Sequence, residues 1–268
     1  MKKYLTQVKH SAFYSICILM MTQCDPPINS ESAEISIITK QSKNCSAAEL
    51  NRMKPISELS PWDTFCTSIK LSYLDVKTAS PKVSETINKK LLQILCENTQ
   101  LGHSCNSVED FLNIPDNSDG FECEVSFTPL FNENNILSIS CNSDVYGFGA
   151  AHPNSSTNFV NFDLRTANII SLEDIMIDEF RRPLSLMAKK KVLDNYPEDV
   201  FDLNDDFEIT NNFSIQSDGL HFLYNTYEIG PYSSGPISIS FTYQEIQYLL
   251  NPNAITTVFL KKTNKSSN

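Results

Sequence analysis

From Phe121 to Cys141 the chain reads FECEVSFTPLFNENNILSISC. Phe121, Cys123, Val125 and Phe127 alternate along the first half of this stretch, and Leu137, Ile139 and Cys141 alternate again after Asn132–Asn135. Period-two alternation puts every second side chain on one face of an extended strand, and an asparagine-rich break between two such runs suits a hairpin turn. The stretch therefore predicts two antiparallel strands sharing a buried face. Such a hairpin is also expected to bring Cys123 and Cys141 near each other.

The same reading extends outward in both directions. Upstream, Thr64–Thr78 alternates, with Phe65, Thr67, Ile69, Leu71 and Tyr73 on one face. Ser80-Pro81 then opens a helix, because serine caps the first turn and proline lacks only an N–H that has no intrahelical partner there. Val83, Ile87, Leu91, Ile94 and Leu95 follow its period, and a shorter helix is expected at Ser107–Leu112. Downstream, a strand is expected at Thr157–Asp163, a turn at Arg165–Asn168, a short strand at Ile169-Ile170, and a helix at Leu184–Asn195 that Pro183 keeps from being longer. Phe213–Ile215 and Leu220–Tyr224 flank the turn Ser217-Asp218-Gly219, and Ile237, Ile239 and Phe241 mark a further strand. Thr242 and Glu245 make a capping box for a helix running to Leu250. The expected fold class is α+β, a mainly antiparallel sheet with packed helices.

The N-terminus predicts export. Lys2, Lys3 and Lys9 precede an apolar run from Ala12 to Met21, with no acidic residue before Asp25. A basic segment followed by about ten apolar residues is the pattern of a secretory leader, and it falls short of the roughly 20 that span a bilayer. Cys24 stands where a bacterial lipoprotein carries its lipidated cysteine, although Gln23 is larger than the small residue preferred before the cut. A freely secreted or periplasmic chain is the alternative. The expected organisation is a signal peptide at 1–23, a tether at 24–44, a smaller N-terminal α+β subdomain at 45–115, a larger α+β domain at 116–252 and a disordered tail at 253–268.

Eight cysteines occur: Cys17 in the leader, Cys24, and then Cys45, Cys66, Cys96, Cys105, Cys123 and Cys141. The last six are an even number in an oxidising compartment, where disulfides persist. Six cysteines allow 15 pairings, of which pairing by sequence neighbours (Cys45–Cys66, Cys96–Cys105, Cys123–Cys141) is the simplest. No CxxC or HxxxH spacing points to a metal, so none is expected. The net charge is −11, and loss of residues 1–23 removes three lysines and no acid, leaving about −14. Such a field repels nucleic acid and anionic lipid headgroups and attracts cationic partners.

Known catalytic spacings (GxSxG, a Walker-type loop, HExxH, GxGxxG) are missing, and no cofactor is expected. Two clusters carry the candidate ligand-binding residues. Tyr146-Gly147-Phe148-Gly149-Ala150-Ala151-His152-Pro153 combines Tyr146 and His152 with small residues that permit close backbone approach. Tyr227-Glu228-Ile229-Gly230-Pro231-Tyr232-Ser233-Ser234-Gly235-Pro236 offers Tyr227, Glu228 and Tyr232 among turn formers. His152 and Glu228 would make an acid–base pair if folding brought them together; a histidine fixing a turn and a glutamate satisfying backbone amides are the plainer readings. The acidic stretch Glu198-Asp199, Asp202, Asp205-Asp206 lacks calcium-loop spacing and reads as a solvated loop.

These clusters carry a resemblance. Tyr146–Pro153 resembles the Y-x-x-G-G-A-H-P signature of the outer domain of RsiV-like anti-sigma factors and PdaC-like proteins, with Ala150 in the second glycine position. Asn161-Phe162-Asp163, Thr166 and Leu172-Glu173-Asp174-Ile175 are similar to the run that follows it there, with Ala167 replacing glycine. Phe213-x-Ile215, Gly219-Leu220-x-Phe222 and Tyr227-Glu228-Ile229-x-Pro231-Tyr232-x-x-Gly235 resemble the closing segment, and Ile69–Tyr73 with Ile87-Asn88 the smaller preceding domain. The resemblance covers about Thr64–Leu250 and implies an RsiV-like C-terminal domain. RsiV-like receptors bind lysozyme, and PdaC-like proteins deacetylate peptidoglycan through a separate metal-dependent domain. Neither a sigma-binding segment nor that catalytic domain is read here. The resemblance thus implies a non-enzymatic envelope protein that captures a lysozyme-like protein. A module binding peptidoglycan glycan and, last, a hydrolase using His152 and Glu228 are the other expectations.

Overall fold

The computed structural model describes residues 31–45, 66–98, 105–113, 120–147 and 149–263. The expected leader and Cys24 lie outside the described residues. Among the described residues two sheets are present. The first has six strands in the order β1 (Glu34–Cys45), β2 (Cys66–Lys77), β3 (Phe121–Glu133), β4 (Ile136–Gly147), β5 (Asn154–Asp163) and β6 (Asn168–Ile169). The second has three, β7 (Phe213–Ile215), β8 (Gly219–Tyr224) and β9 (Ile237–Thr242). All neighbours are antiparallel except β2 and β3, whose parallel pairing needs the crossover that carries α1 (Pro81–Asn98) and α2 (Val108–Leu112). The fold is α+β, as the alternation predicts.

The β3–β4 hairpin turns at Asn134 and Asn135, whose φ values of 55° and 63° are both left-handed. That backbone matches the twist of the flanking strands, and asparagine tolerates it better than other side chains. One face of the sheet buries Ile69, Leu71, Val125, Phe127, Leu137 and Ile139 against Ile87, Leu91 and Leu95 of α1. Each large aliphatic or aromatic side chain so buried contributes about 1.5–3 kcal/mol. A second core joins β7–β9 to α4 (Arg181–Asn195) through Leu184, Ala188 and Val192.

The sheets are joined by side-chain amides of three asparagines. Asn161, buried on β5, accepts from Ser138 Oγ at 2.7 Å and from Ile215 N at 2.9 Å, and donates to the Phe213 carbonyl at 2.9 Å. Asn212 accepts from Phe159 N at 2.7 Å and donates to Thr157 O at 2.8 Å; Asn225 accepts from Thr157 N at 2.8 Å. β6 covers β5 only at Phe162 and Asp163, so the amides of Asn212 and Asn225 satisfy a β5 edge that no other strand among the described residues reaches.

Several expectations are corrected. Cys123 and Cys141 are free and buried, not a disulfide. In the ladder Cys123 faces Val145 and Cys141 faces Phe127, an offset of four residues or about 13 Å at 3.3 Å per residue. A disulfide needs Cα atoms within about 7 Å. Cys96 and Cys105 are bonded, with Cα atoms 5.5 Å apart. Cys66 is disulfide-bonded, and its Cα partner across the ladder is Cys45. The expected tether at 24–44 is strand β1 from Glu34 onward, paired residue by residue with β2 from Glu34↔Lys77 to Cys45↔Cys66. The division expected between 115 and 116 is crossed by one continuous sheet, since β2 and β3 pair directly. Within the expected tail at 253–268, Thr257–Thr263 forms the helix α5, which buries Phe259. Pro183 lies inside the first turn of α4, where a missing N–H costs nothing, so this helix starts at Arg181. Thr242 and Glu245 do bond reciprocally, Thr242 N to Glu245 Oε2 at 2.7 Å and Glu245 N to Thr242 Oγ1 at 3.2 Å, but successive turns follow them rather than the expected helix to Leu250. A four-residue helix not expected from the sequence, α3 (Leu172–Ile175), buries Leu172 and Ile175 in the second core.

Candidate functional site

Two loops build the site at one end of the molecule. The first leaves β4 at Gly147, where Ala150 N donates to Gly147 O at 3.0 Å, and delivers His152 and Pro153 before β5 begins. The second leaves β8 at Tyr224 and carries Tyr227, Glu228 and Tyr232 before β9. It is held close: a Cβ on Gly230 would stand 2.4 Å from the Asp199 carbonyl oxygen, so only glycine fits there. Phe201 N donates to the neighbouring Ile229 O at 2.9 Å. Tyr232–Ser234 form a single 3-10 turn, closed by Gly235 N on Tyr232 O at 3.0 Å.

The two loops meet through their aromatic rings. His152 stacks on Tyr232 with centroids 3.8 Å apart and planes 25° apart. The Tyr227 hydroxyl lies 3.4 Å from His152 Nε2, and the Tyr227 and Tyr232 rings are 5.8 Å apart. His152 Nδ1 is 2.9 Å from the Pro153 carbonyl, which also accepts the Tyr232 hydroxyl at 3.4 Å. A carbonyl can only accept, so Nδ1 carries a proton, and in the neutral ring Nε2 then accepts from Tyr227. Tyr227 holds this position at φ 73°, a left-handed conformation that costs a bulky residue free energy. Such outliers persist where surrounding structure enforces them, and they cluster at functional sites.

Three of the five candidate residues thus converge. Tyr146 is a neighbour in the wall beside them, half-buried at the end of β4 and opposite Glu122 in the ladder. Glu228 is exposed, donates its backbone N–H to Asn225 O at 3.1 Å, and makes no hydrogen bond to His152. The expected acid–base pair is therefore not assembled. The acidic stretch from Glu198 to Asp206 is solvent-facing apart from half-buried Val200 and Leu203 and the partly covered Phe201. Among the described residues no three His, Cys, Asp or Glu side chains converge as metal ligands would.

The sequence reading missed the carboxylates beside the aromatic cluster. Glu122, Glu124 and Asp144 share one face of the sheet with Tyr146, and together with Ser68, Lys70 and Pro153 they line an open groove of about 340 Å³. Lys70 is 3.7 Å from Glu124, and Ser155 Oγ donates to Asp144 at 2.7 Å. Their sequence signal was available in the alternation Glu122-Cys123-Glu124, which marks the outward face of β3 as acidic. On the opposite face burial pushes the Cys123 thiol up to about 12, with smaller contributions from Asp144 and Glu124, and burial alone does the same for Cys141.

Residues 62–155 match the family described as deacetylase PdaC, and residues 165–244 match a protein family of unknown function, DUF3298. The chain is thus similar to PdaC over the first region and to DUF3298 over the second, in line with the resemblance read in the sequence. The DUF3298 likeness extends to solved structures. A DUF3298 family member from Bacteroides fragilis superposes with a TM-score of 0.61 at 20% identity, covering 82% of this chain and 94% of that one. A DUF3298 family protein from Pseudomonas aeruginosa gives 0.59 at 16% identity, covering 82% and 96%. No curated protein matches the chain significantly. The PdaC match contains Tyr146 and His152, whereas the DUF3298 match contains Tyr227, Glu228 and Tyr232. The aromatic cluster is therefore built across the two matched regions.

Proposed function

We propose that this chain is an exported, envelope-anchored and non-enzymatic binding protein that captures a cationic, lysozyme-like protein. The observation that carries the reading is the convergence of His152, Tyr227 and Tyr232 beside Glu122, Glu124 and Asp144. Tyrosine and histidine supply large contact area with little side-chain entropy to lose, which is the composition of binding hot spots. The adjoining carboxylates and the net charge of −11 favour a cationic partner and speed its encounter. The histidine lone pair is engaged by Tyr227, and among the described residues no carboxylate orients the ring, which supports binding over acid–base catalysis.

Calorimetry with several lysozymes at low salt tests the proposal. Binding that weakens as salt rises is expected, and the lack of binding by every lysozyme at low salt would sink it. A second reading, capture of peptidoglycan glycan, draws on the exposed rings of Tyr227 and Tyr232, which could stack on sugars. Co-sedimentation with purified, lysozyme-free cell wall separates the two.

A further inference from the structure

The chain is fastened at one end of the long sheet before β1 begins. Asn135 N donates to Glu31 O at 2.9 Å, and Glu31 N donates to the Asn135 side-chain oxygen at 3.2 Å. Asn132 grips Ala33 with its whole amide, accepting from Ala33 N at 2.8 Å and donating to Ala33 O at 2.7 Å. Asn135 belongs to the β3–β4 turn and Asn132 to the end of β3 just before it, so residue 31 is fixed at the hairpin end. The ladder registers put the aromatic cluster at the other end: β4 starts beside the turn and finishes at Gly147, one loop from His152. Its 12 residues span about 35–40 Å.

From these positions we infer that the molecule stands on an anionic phospholipid surface by its hairpin end and presents the His152–Tyr227–Tyr232 cluster outward. The inference rests on the reading of Cys24 as lipidated. Residues 25–30 separate Cys24 from Glu31, a stretch that reaches at most about 25 Å even when fully extended. A molecule standing on its aromatic end would hold Glu31 about 35–40 Å above the surface, beyond that reach. The inverted pose is thus excluded by length.

Charge selects among the poses that remain. Phe259 of α5 packs edge-on against Phe131 at 5.6 Å and stacks on Tyr243 at 4.7 Å. The helix α5 is therefore held at the hairpin end, and its last residues include Lys261 and Lys262. Lysines near an anionic leaflet are attracted to it within a Debye length. Glu31, Glu34 and Glu133 make the charge at this end mixed. The aromatic end carries Glu122, Glu124, Asp144 and Glu228 against Lys43 and Lys70, so it is repelled more strongly.

The acylated protein in vesicles of three parts phosphatidylcholine to one part phosphatidylglycerol tests the pose. A donor fluorophore is attached through an azide-bearing amino acid at Glu133 or at Ala151, both exposed, and the acceptor is on the lipid headgroups. Energy transfer at least threefold stronger from position 133 is expected, and equal or stronger transfer from position 151 overturns the pose. Replacing Lys261 and Lys262 with glutamine should weaken transfer from position 133; no change there overturns the part assigned to charge. Intact mass of the mature chain is read first. If Cys24 carries no lipid, the anchoring reading falls and the pose with it, whereas an acylated protein in the wrong pose leaves anchoring intact.

Discussion

The Tyr227 hydroxyl and His152 Nε2 lie 3.4 Å apart although 75 residues separate them in the chain. The contact ties the β4–β5 loop to the β8–β9 loop, and Tyr232 stacks on the same imidazole. If this cluster is the centre of the binding surface, His152→Ala and Tyr232→Ala should each weaken lysozyme binding by about tenfold or more, equivalent to about 1.4 kcal/mol. Both side chains are solvent-accessible, so the thermal midpoint should stay put. Calorimetric titration beside a melting curve checks both halves, and unchanged affinity in both variants would remove the cluster from the interface.

Tyr227 should trade stability against binding. Its φ of 73° costs a residue with a Cβ about 1 kcal/mol or more, and glycine adopts it freely. Tyr227→Gly is expected to lose affinity while holding or raising stability, despite glycine's greater entropy when unfolded. Urea unfolding paired with binding measurements reads this, and a variant that loses both would mean the ring supports the fold.

Asn161 is expected to be the costliest of the bridging asparagines. Asn161→Leu leaves Ile215 N and Phe213 O without their side-chain partners, while Ser138 Oγ keeps the Ile215 carbonyl at 2.7 Å. Two stranded buried groups at about 1–3 kcal/mol each give a loss of about 2–4 kcal/mol. Denaturant midpoints at unchanged slope would report it.

The buried thiols of Cys123 and Cys141 predict a pH dependence with a definite sign. Burial raises both folded values to about 12, against about 8.5 for an unfolded cysteine. The neutral thiol is favoured in the fold, so this stability is complete below about pH 8.5 and declines as pH rises towards about 12. Cys123→Ser with Cys141→Ser should flatten that decline. A disulfide reagent should label two more thiols in denaturant than in the folded protein at pH 8.

Glu245 predicts the opposite window. The Lys191 ammonium at 2.8 Å, followed by the amide and hydroxyl of Thr242, holds its carboxyl below the usual range against partial burial. Its contribution is present above the unfolded carboxylate value of about 4.3 and is lost as pH falls through the lower folded one. The pair is largely exposed, so Glu245→Gln should cost no more than about 1 kcal/mol near neutrality. The difference from the parent should vanish below about pH 3.

Period-two alternation and turn chemistry made the β3–β4 hairpin, β2, α1 and the β7–β9 sheet readable in advance. β1 escaped because Ile37 is 62% exposed and its neighbours are mixed, so an edge strand looked like a polar linker. The cysteine pairing failed on register. Cys123 lies ten residues before Glu133 and Cys141 five after Ile136, the pair that closes the hairpin, and the bulge between Pro129 and Phe131 takes up only one of that difference of five, leaving the offset of four. At the site, Tyr227, Tyr232 and His152 stood out as aromatic residues among turn formers. The carboxylates did not, because Glu122, Glu124 and Asp144 acquire meaning only when β3 and β4 lie side by side.

β5 is claimed by both sheets. Its edge amides are answered by asparagines from the second sheet, and residues 156–164, most of the strand, fall between the two family matches. The two regions therefore do not behave as exchangeable cassettes. A chimera that joined the first region of one relative to the second region of another would inherit Thr157 and Phe159 from one parent and Asn212 and Asn225 from the other. It would keep the seam closed only if both parents had drifted together, so descent has reason to move these halves as a unit.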